Sequence, residues 1–354
     1  MSERLTSPAS SHLNGKRKEE HLSIALNKDI KFKEIQNGLA EFQFVHQALP
    51  EINLTDIDIA SNLFSRKLKA PLIISPMVGG IDAARRLNRN LAEAAQTLGV
   101  GMGVGSQRCA IDDPVSISSY QVRGIAPDIL LLANLGAIQL NYGYSVAECQ
   151  RAVDMLDADA LILHLNPLQE ALQAEGNTNF AGLLSKIEKV CRALPVPVIV
   201  KEVGWGISEN VARSLAEVGV AAIDVAGAGG TSWSEVERHR TKSTLGDKVA
   251  TTFAGWGIPT ADSIEMVQKG APGLTLVASG GIRNGLDVAK VMALGAHAAG
   301  IGTPLLKAAN ISADATIAAI RQIIEELCLT MFCIGTVDLK VLRGTPFLMR
   351  KSRG

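Results

Sequence analysis

The chain has 354 residues, 47% hydrophobic and 4% aromatic, with a formal net charge of zero. That length suits one barrel with extensions, and the apolar share suits a large core. Few aromatics and no net charge argue against a nucleic-acid-binding surface.

Residues 1–15 are polar, carry no apolar signal-peptide segment and are expected to be disordered. Lys16 to Asn27 reads as a short helix with Leu22, Ile24, Ala25 and Leu26 on its apolar side. Residues 16–69 form a lead-in segment, anchored by Phe32, Phe42, Phe44 and Phe64, that contributes to the active site. From residue 70 short apolar runs alternate with amphipathic stretches. Strands are predicted at 71–76, 99–104, 129–133, 159–164, 197–201, 220–225, 274–278 and 297–301. Helices are predicted at Asp82–Thr97, Ser145–Leu156, Thr178–Ala193, Ser208–Val218, Thr260–Lys269 and Gly285–Leu294. Eight strand–helix units make this an α/β protein, a TIM (β/α)8 barrel over 70–331 with an N-terminal extension and a C-terminal tail, 332–354. A doubly wound sheet would need an early G-x-G-x-x-G followed by an acidic residue, and Gly101-Met-Gly103-Val-Gly105 lacks that spacing. No apolar stretch of transmembrane length is free of charge or glycine, so no membrane partner is expected. Five scattered cysteines (Cys109, Cys149, Cys191, Cys328, Cys333) have no CxxC spacing, which suggests neither zinc nor a disulfide framework and fits a reducing cytoplasm.

Barrel enzymes place their chemistry where the strands end. The fifth strand, Val196-Pro-Val-Ile-Val-Lys201, ends in a lysine. Ser279-Gly280-Gly281-Ile282-Arg283 and Gly300-Ile-Gly302-Thr303 end the seventh and eighth, where barrels commonly bind phosphate through close backbone N–H groups. Lys201 on that rim suits either a charge partner for a flavin or a Schiff-base amine. His164-Leu-Asn166-Pro-Leu-Gln169-Glu170 ends the fourth strand, and one carboxylate beside amides suits Mg²⁺. Ser106, Gln107, Arg108 and Asn134 add hydroxyl, amide and guanidinium groups, although Asn134 could equally cap a helix. The run Lys16-Arg17-Lys18-Glu19-Glu20-His21 reads either as a solvated charge run or as a clamp for a diphosphate.

Together these motifs resemble the FMN-dependent type 2 isopentenyl-diphosphate isomerases, from about Lys16 to about Lys340. The pieces are Arg17-Lys18-x-Glu20-His21, Phe44-Val-His46-x-Ala-Leu-Pro50, Ser75-Pro-Met77-Val-Gly79-Gly80, Gly105-Ser106-Gln107-Arg108, Asn134-Leu-Gly136, His164-x-Asn166-x-x-Gln169-Glu170, Lys201-Glu202-Val-Gly204, Gly229-Gly230-Thr231 and Ser279-Gly280-Gly281-Ile282-Arg283. The resemblance implies isopentenyl and dimethylallyl diphosphate interconverted without net redox change, by protonation at C4 and deprotonation at C2. Reduced FMN acts as acid and base, with NADPH as reductant and Mg²⁺ as metal. It implies Arg17, Lys18, His21, Ser106, Gln107, Arg108, His164, Asn166 and Gln169 at the substrate, with Gln169 beside the reacting carbons and His164 and Lys201 also serving catalysis. Glu170 would bind the metal. Ser75, Met77, Val78, Gly79, Ser106, Asn134, Lys201 and Thr231 would meet the flavin, and Gly280, Gly281, Ile282, Arg283, Gly302 and Thr303 its phosphate. Such enzymes tend to form homo-oligomers, tetramers or octamers. Val78 stands where the family commonly has threonine. With this rim around it, Lys201 is read as the residue that holds negative charge on the reduced flavin.

Two rivals differ at named places. An FMN-dependent 2-hydroxy acid oxidase or dehydrogenase would need a histidine base after the sixth strand, where Val225-Ala-Gly-Ala-Gly-Gly-Thr231 has none. A non-catalytic flavin-binding protein would leave the polar residues after the fourth strand without a role.

Overall fold

The computed structural model describes residues 8–241 and 243–351. All eight predicted barrel strands are present: β1 (Leu72–Ile74), β2 (Gly101–Gly103), β3 (Leu131–Gly136), β4 (Ala160–Leu165), β5 (Val198–Glu202), β6 (Ala222–Asp224), β7 (Thr275–Ser279) and β8 (Ala298–Ile301). They are parallel and close on themselves, with β8 pairing β1 and β6 pairing β7. The six predicted helices lie between them, at Asp82–Leu98, Val146–Leu156, Leu183–Ala193, Glu209–Glu217, Thr260–Gly270 and Gly285–Ala293.

Alternate side chains of a strand face opposite ways, and here that period places the site. Leu131, Ala133, Leu161, Leu163, Val198 and Val200 join the cluster packed against the helices, whereas Leu132, Ile162, Ile199, Ala222 and Val277 join a second, interior cluster. Two residues further along each strand, the interior series turns polar. Leu132 is followed by Asn134, Ile162 by His164, Ile199 by Lys201, Ala222 by Asp224 and Val277 by Ser279. Register sets His164 beside Lys201 and Lys201 beside Asp224. The interior is therefore apolar below and polar at the rim.

A hairpin of Ser61–Leu63 and Arg66–Leu68 closes the apolar end, with Leu63 and Leu68 buried in the interior cluster. Its turn residues Phe64 and Ser65 have φ of 48° and 66°. Two-residue turns of this kind usually carry Asn-Gly, so the sequence shows no hairpin there.

The N-terminal helix runs Pro8–Asn27, ahead of the expected start at Lys16, and the part of the expected disordered segment before Pro8 lies outside the described residues. The expected C-terminal tail is folded back. After a helix at Leu339–Arg343, strand Leu348–Arg350 pairs antiparallel with Phe42–Phe44 of the lead-in segment. Arg350 lies 4.7 Å from the Phe42 ring centroid and 3.1 Å from Asp262. All five cysteines are free thiols. Among the described residues no helix is long and apolar enough to cross a membrane.

Candidate active site

A cavity of about 570 Å³ opens on the polar rim, within the roughly 300–1,000 Å³ usual for cofactor sites. All the predicted site residues line it except Gln107. Gln107 is fully buried and works one layer out. Its Nε2 donates to the Ala152 carbonyl at 2.8 Å, and its Oε1 accepts the Asn134 N–H at 2.9 Å, which fixes the end of β3.

Asn134 is committed to its neighbours, not to a helix cap. Its Nδ2 donates to the Val104 carbonyl at 3.1 Å, which orients the amide so that Oδ1 accepts from His164 Nδ1 at 3.0 Å. In the neutral ring, Nε2 of His164 then carries the lone pair. Burial, reinforced by the Lys201 and Lys18 charges, pushes the His164 pKa down to about 4.

Lys201 is buried and held three ways. Its Nζ donates to the Glu202 carbonyl at 2.8 Å and lies 3.5 Å from both Asp224 Oδ2 and Ser279 Oγ, while Ser279 Oγ donates to Asp224 Oδ1 at 2.6 Å. Asp224 is a site residue that the sequence reading missed; the period of two through Ala222-Ile223-Asp224 is the signal that points to it. Beneath Lys201, Glu202 caps the turn by accepting the N–H groups of Val203, Gly204 and Trp205 at 2.5–2.7 Å. Burial nonetheless pushes its pKa up to about 7.

The N-terminal helix lies across the rim of its own barrel. Arg17 Nη1 donates to Gln173 Oε1 at 3.2 Å, and His21 Nε2 meets Glu237 Oε1 at 2.9 Å, with the His21 ring edge-on to Trp233 at 5.2 Å. Glu237, from the helix Trp233–Arg240, is a second residue missed in the sequence. It is buried, pairs with Arg240 at 2.6 Å and comes within 3.5 Å of Gln169 Nε2. Burial pushes its carboxyl up, but His21 and Arg240 outweigh this and hold it below the usual range. Burial, and after it the neighbouring Arg108, lower the Arg17 pKa, while Glu170 and Glu175 act the other way.

After β4, Asn166 Nδ2 donates to Gln169 Oε1 at 3.0 Å and Glu170 Oε1 at 3.2 Å, and Glu170 Oε2 accepts the Asn177 N–H at 2.6 Å. Asn166 Oδ1 is buried with no partner. An unpartnered amide oxygen beside a buried carboxylate forms an oxygen-donor set that fits a hard cation.

The glycine-rich loops interlock. A Cβ at Gly230 would sit 2.4 Å from Gly281 N, and one at Gly281, where φ is +73°, would sit 2.6 Å from the Gly229 carbonyl. These glycines therefore serve the approach of the two loops as well as the cavity wall. Thr231 and Thr303 join the loops after β6 and β8 through a 2.7 Å hydroxyl contact, and Arg283 Nη2 donates to the Gly229 carbonyl at 3.2 Å. Gly302 lines the cavity, where a Cβ would make ordinary contact with Met77 Sδ at 3.8 Å. Ser75 Oγ is buried, lines the cavity and has no partner. A glycine-lined wall and an orphan hydroxyl fit a phosphorylated cofactor such as FMN. Val78 meets the cavity beside them, and its carbonyl accepts the Gly105 N–H at 2.9 Å and Asn88 Nδ2 at 3.2 Å. Those backbone bonds do not depend on the side chain at position 78.

Comparison with known proteins agrees with this geometry. The family model for FMN-dependent dehydrogenases matches residues 168–347. An isopentenyl-diphosphate delta-isomerase from Nostoc sp. is 49% identical over 334 residues, 94% of this chain and 95% of that protein. The protein of that name from Rickettsia canadensis is 49% identical over 93% of this chain and 96% of its own. Among solved structures, a mandelate oxidase with an FMN adduct superposes with a TM-score of 0.60 at 21% identity, covering 94% of this chain and 91% of that one. A flavocytochrome b2 reaches 0.65 at 16% identity, over 96% and 84%. Those distant likenesses show the barrel fold alone. The full-length relatives, at nearly half identity, show that this chain belongs to the isopentenyl-diphosphate delta-isomerase family, built on the barrel of the FMN-dependent dehydrogenases.

Proposed function

We propose that the chain interconverts isopentenyl diphosphate and dimethylallyl diphosphate in isoprenoid biosynthesis, by protonation at C4 and loss of a proton from C2. The observation that carries this reading is the joining of a cationic clamp, Arg17, Lys18, His21 and Arg108, to the polar rim His164–Lys201 in one cavity. The loop after β6 offers no histidine base for 2-hydroxy acid oxidation.

Arg17, Lys18 and Arg108 bind the diphosphate, and Ser106 lines the same pocket. Glu170 and Asn166 would hold Mg²⁺. Among the described residues no three His, Cys, Asp or Glu side chains gather as a metal cage. Such an ion would therefore complete its shell from amides, water and substrate phosphate, as Mg²⁺ commonly does. Gln169 is aligned beside the substrate by its bond from Asn166 and its approach to Glu237. His164, neutral above about pH 4, presents an unprotonated Nε2 that can accept a proton but not give one. Lys201 supplies the fixed positive charge that stabilises an anionic ring against the rim. When bound, FMN reduced by NADPH supplies the acid–base group for the proton shift.

The test is conversion of isopentenyl diphosphate under anaerobic conditions with FMN, NADPH and Mg²⁺. Product formed by oxidised enzyme without reductant would refute the reduced-flavin reading. Steady oxygen consumption with a 2-hydroxy acid would favour the oxidase.

A further inference from the structure

The socket that receives Lys18 is more elaborate than a diphosphate ligand alone requires. Lys18 Nζ donates to the Ser106 carbonyl at 2.8 Å and to the Tyr120 hydroxyl at 2.7 Å. The Tyr120 hydroxyl donates to that same carbonyl at 2.6 Å, so the three groups close a triangle. Tyr120 follows the 3-10 turn Pro114–Ser119, has no exposed surface and sets its ring 5.4 Å from the ammonium. The ring fits because residue 79 is glycine. A Cβ there would lie 2.0 Å from the ring, and one at Gly80 would lie 2.7 Å from Lys18 Nζ. Four segments thus meet at one ammonium: the N-terminal helix, the loops after β1 and β2, and the 3-10 turn.

An ammonium has three N–H donors. Two are spent in the triangle, which fixes the direction of the third, and the Cys109 thiol, which lines the same cavity, is also within its reach. Taking the ammonium out of water is unfavourable, and the carbonyl and the phenol oxygen offset part of that cost.

We propose that Tyr120 is a positioning residue for the diphosphate clamp, holding the Lys18 ammonium through its hydroxyl so that the remaining N–H serves the ligand. This rests on the reading of Lys18 as a diphosphate ligand. If Tyr120 only filled space, phenylalanine would serve equally, since the ring alone occupies the gap left by Gly79.

Tyr120→Phe therefore separates the two roles. Measured with FMN, NADPH and Mg²⁺ present, KM for isopentenyl diphosphate should rise about tenfold with kcat within about twofold, while flavin content and Tm match the parent. Losing an oxygen that accepts from the ammonium also disfavours the charged form. The alkaline limb of kcat/KM should therefore move to lower pH. The other ionisable groups facing Lys18 are Cys109, Arg17, Arg108 and His164, and the substitution leaves them unchanged. In a double-mutant cycle with Lys18→Gln, adding Tyr120→Phe should change KM no further. The proposal is overturned by an unchanged KM, by KM effects that add in full, by a kcat loss at constant KM, or by loss of flavin or early unfolding. If Lys18→Gln itself leaves KM unchanged, the diphosphate reading of Lys18 fails on its own, whatever Tyr120 does.

Discussion

The depressed pKa of His164 makes a quantitative prediction about stability against pH. In the native chain the ring resists protonation until about pH 4, whereas in the unfolded chain it protonates near 6.5. A group that binds its proton more weakly when folded stabilises the fold above the unfolded pKa and loses that stability as pH falls through the folded one. The window is therefore about pH 6.5 down to about 4, and the drop corresponds to about 3 kcal/mol. His164→Gln keeps a donor for Asn134 Oδ1 and removes the titration. Urea unfolding of both proteins at pH 7 and pH 4, without flavin, should show the variant losing about 3 kcal/mol less than the parent across that interval. Proton NMR of the His164 ring should place its midpoint well below that of an exposed histidine. Equal pH slopes in the two proteins, or a ring that titrates above pH 6, would refute the reasoning.

Glu170→Gln should lower activity at least about 100-fold and blunt its response to Mg²⁺, while the flavin absorbance is retained; loss of flavin would show that Glu170 belongs to the cofactor wall. Gly281→Ala forces a side chain onto a φ of +73° and against the Gly229 carbonyl. It should reduce FMN occupancy on gel filtration and destabilise the fold by about 1–3 kcal/mol. Glu237→Gln leaves Arg240 and His21 without their buried carboxylate. It should destabilise by about 3 kcal/mol and speed proteolysis within the helix Pro8–Asn27, read by limited digestion.

Much of the barrel was legible because strand and helix periods are local. Each apolar run before Asn134, His164 and Lys201 announces a buried strand, and the polar residue that follows it announces the rim. The interior hairpin was not legible, since Phe64 and Ser65 reach left-handed backbone without glycine. Nor was the pairing of Leu348–Arg350 with Phe42–Phe44, a contact between opposite ends of the chain that no window of sequence contains.

The amino-acid sequence by itself determined the order of strands, the rim on which chemistry could sit and the residue types available there, because these follow from periodicity and from which groups can bind phosphate or a cation. Tertiary structure alone decided the partnerships: Lys201 with Asp224, His164 with Asn134, His21 with Glu237, Lys18 with Tyr120, and Gln107 turned inward to hold β3. The physical reason is one of range. A side chain's type and strand phase are set within a few residues, whereas its charge state, tautomer and direction are set by groups that barrel closure and the overlying helix bring alongside it.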